Sequence, residues 1–441
     1  MYATGGIADR FHPLVSNVEK RLSGPLPAAV RFWDGSELGP GERGSASDTI
    51  VLKNRRALTY AVMRPDQVGI ARGWVAGDIE LEGDLERAMM AGSRLYGFDF
   101  TRREKLEAAR IALAVGAIKI PPPKAPETEA RVSGGLHSLR RDRQAISHHY
   151  DVSNDFYRLI LGPTMVYSCA YFADADDSIE VAQTRKLDVI CQKLDLQPGD
   201  RLLDIGCGWG SLIIHAATHY GVRAVGVTLS EEQTKLARER ITEAGLSDLC
   251  EVRIQDYREV NDGPYDKISS IGMYEHVGSS QLDNYMATIT ALGRPGGRVL
   301  NHGICRMQDD QEQPNTFITR YVFPDGELHR VSKVVKALEG AGQEMRDAES
   351  LREHYALTLK HWVRNLEEHK DEAIEQIGEE RERIWRLYMT ASIGAFERGD
   401  IAIHQIISVI PGAEHAMPLA RSSYIRADTA APSEAEEQLR G

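Results

Sequence analysis

No C-x-x-C pair occurs in this sequence: its five cysteines, Cys169, Cys191, Cys207, Cys250 and Cys305, stand far apart along 441 residues. That spacing excludes the common zinc ligand sets and a disulfide framework, so reduced thiols and no metal site are expected. Long apolar runs are missing too. The longest candidate, IALAVGAIKI at 111–120, falls short of the roughly 20 residues of a membrane-spanning helix. The opening residues MYATGGIADRFHPLV lack a basic stretch followed by an apolar core and do not read as a secretory signal, so a cytoplasmic location is expected. Positive charge is in deficit: 53 Lys and Arg against 65 Asp and Glu leave a net charge of −12. That balance argues against a nucleic-acid binder, whose affinity comes largely from neutralising phosphates.

Basic residues are present in two local clusters, TRREKLEAAR at 101–110 and LRRDRQ at 139–144. Either is a solvated helix face on the simplest reading, and either can attract anionic lipid head groups at short range. Around them the hydrophobic pattern changes along the chain. AVRFWDG and DTIVLKN alternate like strands, whereas LEGDLERAMMAGSRLYG and RREKLEAARIALAVGAI carry helical spacing, which predicts a small α+β domain over 1–120. Prolines, paired glycines and polar residues then mark a connector at 121–138. From 139 to about 415, short apolar strands (RLLDIG, RAVGVTL, CEVRIQD, YDKISSIGM, GGRVLNHGI) alternate with amphipathic helices. The expected fold there is α/β, a doubly wound parallel sheet covered on both faces. A polar tail is expected over 416–441.

The sharpest local motif is LLDIGCGWGSLIIH: a strand ending in Asp204, glycines at Gly206, Gly208 and Gly210, and a helix from about Ser211. Such glycines let the backbone turn tightly and approach a ligand at the carboxyl end of the first strand. A nicotinamide dinucleotide site would ordinarily place a carboxylate at the end of the next strand. Here that strand ends GVTLSEEQ, offering the neutral Thr228, Ser230 and Gln233, although Glu231 leaves NAD open. Asp204 suits a cationic ligand group better than a pyrophosphate, which favours S-adenosylmethionine. Asp256, after the third strand, reads equally well as an adenine partner and as a helix cap. In SIGMYEHVG, Glu275 directly follows an apolar strand, at the end where a doubly wound fold binds its ligands.

Several blocks in order, ISHHYDVSNDFYRLIL, MVYSCAYF, LLDIGCGWGSLIIHAA, GVTLSEEQTKLARERI, YDKISSIGMYEHVG, NHGI, RYVFPDGEL, HYALTLKHW and MTASIGAFERGDI, resemble the cyclopropane-fatty-acyl-phospholipid synthases across residues 146 to 404. The resemblance implies a Rossmann-like class I methyltransferase domain, here 139–415, preceded by a domain that assists dimerisation and lipid access. It implies that the methyl of S-adenosylmethionine adds to a cis double bond of a phospholipid acyl chain, and that loss of a proton from the added methyl closes a cyclopropane ring. It places Tyr167 and Ser168 beside the cofactor. It implies a bound bicarbonate as proton acceptor, in a cage matched here by Cys169, Glu275, His302, the backbone of Ile304, and Tyr355. The implied partners are a phospholipid bilayer at the inner face of the membrane and a second copy of the chain.

The resemblance also bears on Gly272: relatives that make methyl branches commonly carry a carboxylate near this point, and its absence here leaves room for bicarbonate. A methyl- or methylene-branching enzyme of the same family, or one acting on carrier-bound chains, is the alternative. From other classes, a nicotinamide oxidoreductase or a non-catalytic lipid carrier stays open. Asp204 counts against the first, and the joint presence of Cys169, Glu275, His302 and Tyr355 against the second.

Overall fold

The computed structural model describes residues 6–39, 48–64, 66–92, 98–118, 123–150, 152–307, 316–414 and 417–421. Of the tail expected over 416–441, all but 417–421 lies outside the described residues. The chain divides into two compact units, one of 1–131, 313–322 and 378–394, the other of 132–312, 323–377 and 395–441.

In the first unit, strands β1 (Ala29–Arg31), β2 (Glu37–Leu38), β3 (Thr49–Leu52) and β4 (Ile79–Glu82) make a sheet of order β2-β1-β3-β4. The helix Ile7–Leu22 buries Ile7, Phe11, Leu14 and Val18, one face at helical spacing, and stacks Phe11 on Phe32 with centroids 5.4 Å apart. Residues 378–394 are held in this unit by polar contacts: Trp74 Nε1 donates to the Arg383 carbonyl at 3.0 Å, and the Arg383 guanidinium meets Glu80 at 2.6 Å. The helix Arg102–Ala114 begins at a capping box of Thr101 and Glu104 and turns Leu106 and Leu113 outward, 54% and 64% exposed.

The second unit is built on seven strands: β5 (Arg201–Ile205), β6 (Arg223–Thr228), β7 (Cys250–Ile254), β8 (Tyr265–Ile271), β9 (Gly293–Arg306), β10 (Glu344–Ser350) and β11 (Ile401–Val409). Their order is β10-β11-β9-β8-β5-β6-β7. Strands β5 to β9 are mutually parallel, while β11 runs antiparallel to both β9 and β10. Both faces are buried. Leu202, Leu300 and Ile407 pack into one core, and their chain neighbours Leu203, Val299 and Ile406 into the other. β5 lies between β8 and β6, so the chain order reverses beside it and a crevice opens at the carboxyl ends of these strands. The five strands expected from the sequence are all present, and β10 and β11 join them. No helix among the described residues is long and apolar enough to cross a membrane.

Candidate active site

The glycine turn after β5 delivers the first site group. Asp204 is 3% exposed and accepts a 2.7 Å hydrogen bond from Ser269 on β8. Burial pushes its carboxyl up to about 6, against the pull of that hydroxyl and of Lys186. Beyond it, Gly206 and Gly208 form part of the wall of a cavity at the carboxyl edge of the sheet. On the β6 side, the Thr228 hydroxyl donates to Gln233 Oε1 at 2.8 Å, and both residues face the cavity. Ser230 does not line the cavity. It is fully buried and caps the helix Glu231–Glu243, accepting from the Gln233 N–H at 3.2 Å.

Asp256 lines the cavity and is also a cap, accepting from the Arg258 N–H at 2.9 Å while the Arg258 guanidinium grips it at 2.7 Å on each oxygen. Arg258 reaches onward to Asp142 at 3.0 Å, and Arg141 forks onto Asp325 at 2.5 and 2.8 Å. The helix Leu139–Tyr150, whose Ala145, Ile146 and Tyr150 line the cavity, is thereby tied over it. Tyr167 also lines the cavity, its hydroxyl 3.1 Å from His149 Nε2, and Ser168 beside it accepts from Lys186 Nζ at 2.8 Å.

The five residues matched to the cage do not line this cavity, although Cys169 and Glu275 adjoin in sequence the lining residues Ser168 and His276. The link is Gly272, which lines the cavity and donates its N–H to the His302 carbonyl at 2.7 Å. Glu275 Oε1 accepts from the Ile304 N–H at 2.7 Å, two residues along β9 from His302. Burial raises the Glu275 carboxyl to about 7, in spite of that hydrogen bond. Burial also holds the His302 imidazole well below its ordinary range, so the ring is neutral, and Nδ1 lies 3.0 Å from the His404 carbonyl. A carbonyl only accepts, so Nδ1 carries the proton and Nε2 presents a lone pair.

Glu275 Oε2 and His302 Nε2 are both buried without a hydrogen-bond partner among the described residues. Cys169 is fully buried, its thiol pushed up by burial and directed at the backbone carbonyls of Ala170 and Leu351. Tyr355, one turn after Leu351, packs its ring on Phe396 at 4.8 Å and edge-on to Trp362 at 6.0 Å, and Trp362 in turn meets Tyr167.

Sequence reasoning missed Lys186, His276 and Arg258, all of which line the cavity. A lysine inside IEVAQTRKLDVICQKL reads as the solvated stripe of an amphipathic helix, and nothing local marks its burial. His276 adjoins Glu275 and is held down to about 4 by burial.

The arrangement sets a cavity, with a buried carboxylate and glycine backbone in its wall, beside Glu275 and His302, each of which carries a buried atom without a hydrogen-bond partner among the described residues. The profile of the mycolic acid cyclopropane synthetase family matches residues 137–406. A probable fatty acid methyltransferase of Mycobacterium tuberculosis is 39% identical over 411 residues, covering 90% of this chain and 95% of that protein. The cyclopropane-fatty-acyl-phospholipid synthase of Escherichia coli is 38% identical over 286 residues, covering 65% of this chain and 72% of that one. A mycolic acid cyclopropane synthase solved with SAH and CTAB superposes with a TM-score of 0.57 at 32% identity, covering 60% of this chain and 98% of that one. The chain belongs to the mycolic acid cyclopropane synthetase family and is an S-adenosylmethionine-dependent methyltransferase.

Proposed function

We propose that the protein methylates a cis double bond of an unsaturated phospholipid acyl chain and closes the adduct to a cyclopropane. The observation that carries this reading is that Glu275 Oε2 and His302 Nε2 are buried without partners among the described residues, on residues joined to the cavity wall at His276 and Gly272. When bound, S-adenosylmethionine supplies an electrophilic methyl. Asp204 is the group to take its α-ammonium, with Thr228, Gln233 and Asp256 toward the nucleoside. The protein must then protect a cation from water and accept one proton. Tyr355, Trp362 and Phe396 supply apolar walls, and the neutral Cys169 thiol adds no competing nucleophile.

The partnerless pair fits a small group that both donates and accepts, as bicarbonate does, with Glu275 and His302 as its holders and the Ile304 N–H, matched to the cage by the resemblance, anchoring Glu275. Bicarbonate there would be the base. Beside Gly272 a Cβ would meet no atom within 4 Å, so no side chain crowds that point. The methyl-branching alternative has its own support, since the relative covering 90% of the chain is named a fatty acid methyltransferase. Proton NMR of lipids from an expressing host separates the two: upfield ring-methylene signals are expected, and branched chains without them would overturn cyclopropanation.

Two further outcomes are expected. Asp204 titrates at about 6 in the ligand-free protein and binds an ammonium only when ionised. Affinity for S-adenosylhomocysteine should therefore be steady from about pH 6 to neutrality and fall up to tenfold per unit below pH 6. Calorimetry from pH 5 to 8 tests this, and Asp204→Asn should lose both affinity and the slope. His276, at about 4, stays neutral across that range.

The second concerns the bilayer. Arg103, Leu106, Arg110 and Leu113 share the exposed face of the helix Arg102–Ala114, a mixture of cations and apolar side chains suited to an anionic lipid surface. In the other basic cluster, Arg141 is consumed by Asp325. Binding to phosphatidylglycerol vesicles should weaken about tenfold or more in high salt, as about 1 kcal/mol per cation implies. Arg103→Glu with Arg110→Glu should abolish it. Salt-independent binding would sink the surface assignment.

A further inference from the structure

Among the described residues four Lys and Arg side chains are buried in the second unit, and three of them each meet two acceptors. Lys193 meets Glu349 and Gln405, both at 2.5 Å; Lys267 donates to the carbonyls of Leu194 and Asp195 at 2.8 and 3.0 Å; Arg298 meets Asp195 at 3.0 Å. Lys186 is the exception. It is 2% exposed, on the helix Ile179–Leu194, and its ammonium donates to Ser168 Oγ at 2.8 Å. No carboxylate of the described residues lies within 4.0 Å of it. Its electrostatic partner is Asp204, and both line the cofactor cavity.

An ammonium with three donors, taken out of water with one hydroxyl acceptor and no carboxylate in direct contact, is costly unless a ligand supplies an anion. Lys186 and Asp204 line one cavity without forming an ion pair within 4.0 Å, so a head group that carries both charges would answer both. An α-amino acid is such a head group: its ammonium matches Asp204 and its carboxylate matches Lys186.

We infer that Lys186, with Ser168 orienting it, takes the α-carboxylate of S-adenosylmethionine while Asp204 takes the α-ammonium. The cavity thus has an acidic and a basic pole and selects the zwitterionic end of the cofactor. Cys169 and His302 also feel the Lys186 charge, but neither lines this cavity, whereas Lys186 and Ser168 both do.

The test is calorimetry with three probes: S-adenosylhomocysteine, its decarboxylated analogue, and 5′-methylthioadenosine, which lacks the whole amino-acid end. Lys186→Met should weaken S-adenosylhomocysteine by about 10²-fold, the loss expected for a charge-assisted pair in a dry site. It should leave the decarboxylated analogue and 5′-methylthioadenosine unchanged. Because the variant removes a buried charge with no carboxylate in direct contact, it should also melt no lower than wild type, whereas Lys193→Met, which takes the ammonium from Glu349 and from the buried Gln405 Oε1, should melt lower. Equal weakening of all three probes, or an unchanged S-adenosylhomocysteine affinity, would overturn the assignment. If Lys186→Met does not fold, Ser168→Ala carries the same test, with a smaller loss confined to the carboxylate-bearing probe. Wild-type protein that binds none of the probes would overturn the cofactor site itself, and this inference with it.

Discussion

Glu275→Gln is expected to lower the rate of lipid product formation by about 10²–10⁴-fold, the range of a positioned acid–base group, with S-adenosylhomocysteine affinity near that of wild type. The geometry explains the separation. Oε1 is anchored by the Ile304 N–H at 2.7 Å, so the glutamine carbonyl takes that place and the amide NH₂ replaces Oε2 in the buried gap. One oxygen becomes a donor and the charge is lost, while the cofactor cavity, which Glu275 does not line, is untouched.

Stability supplies an independent readout. The carboxyl, at 4.5 when unperturbed, is raised by burial to about 7, so the neutral form is the one the fold favours. Its contribution is complete below pH 4.5 and is lost as pH climbs through 7, where ionisation leaves a buried charge. Glutamine cannot ionise, so at pH 8 the variant should melt no lower than wild type. Added bicarbonate should stimulate wild-type enzyme stripped of carbon dioxide and rescue the variant poorly. A fully active variant, together with equal wild-type rates with and without bicarbonate, would return Glu275 to a structural role.

What the sequence disclosed depended on how local each signal is. Strands β5 to β9 announce themselves because both faces are buried and their residues form short apolar runs, as in RLLDI and RAVGVT. β10, EMRDAES, is an edge strand with no fully buried residue, so it has neither run nor alternation to read. β11 is apolar but is placed by pairing with β9, a partner about a hundred residues away in sequence. The compact grouping of 378–394 with the first 131 residues is likewise long-range, resting on contacts such as Trp74 with Arg383.

In the site, Asp204 and Glu275 were visible because each ends a strand. Asp256 was ambiguous for a sound reason, since it caps a turn and lines the cavity at once. Ser230 shows the opposite case, a hydroxyl at a binding position whose lone pair is used by the helix start. Lys186 was invisible because its burial is decided by Ser168, eighteen positions earlier in the chain, and by the strand that carries Asp204.

Gly208→Val should cost S-adenosylhomocysteine at least about 10²-fold in affinity, with loss of activity to match, while the protein still folds. Gly208 has φ +55, and a Cβ built there meets no protein atom within 4 Å, although the residue forms part of the cavity wall. The valine therefore occupies ligand space and not core space. Its own cost is the left-handed backbone, about 1–2 kcal/mol, which a protein of this size tolerates. Gly206→Val is a harsher change: with φ +79 its Cβ would stand 2.5 Å from Met273 Sδ, so the Met273 side chain must move as well. Comparing the two separates ligand exclusion from distortion. Gly208→Val should lose binding with a small drop in melting temperature, and Gly206→Val should lose binding with a larger one. Calorimetry and thermal melts on both variants make the measurement; wild-type affinity in a folded Gly208→Val would move the cofactor away from this turn, and with it the acidic pole at Asp204.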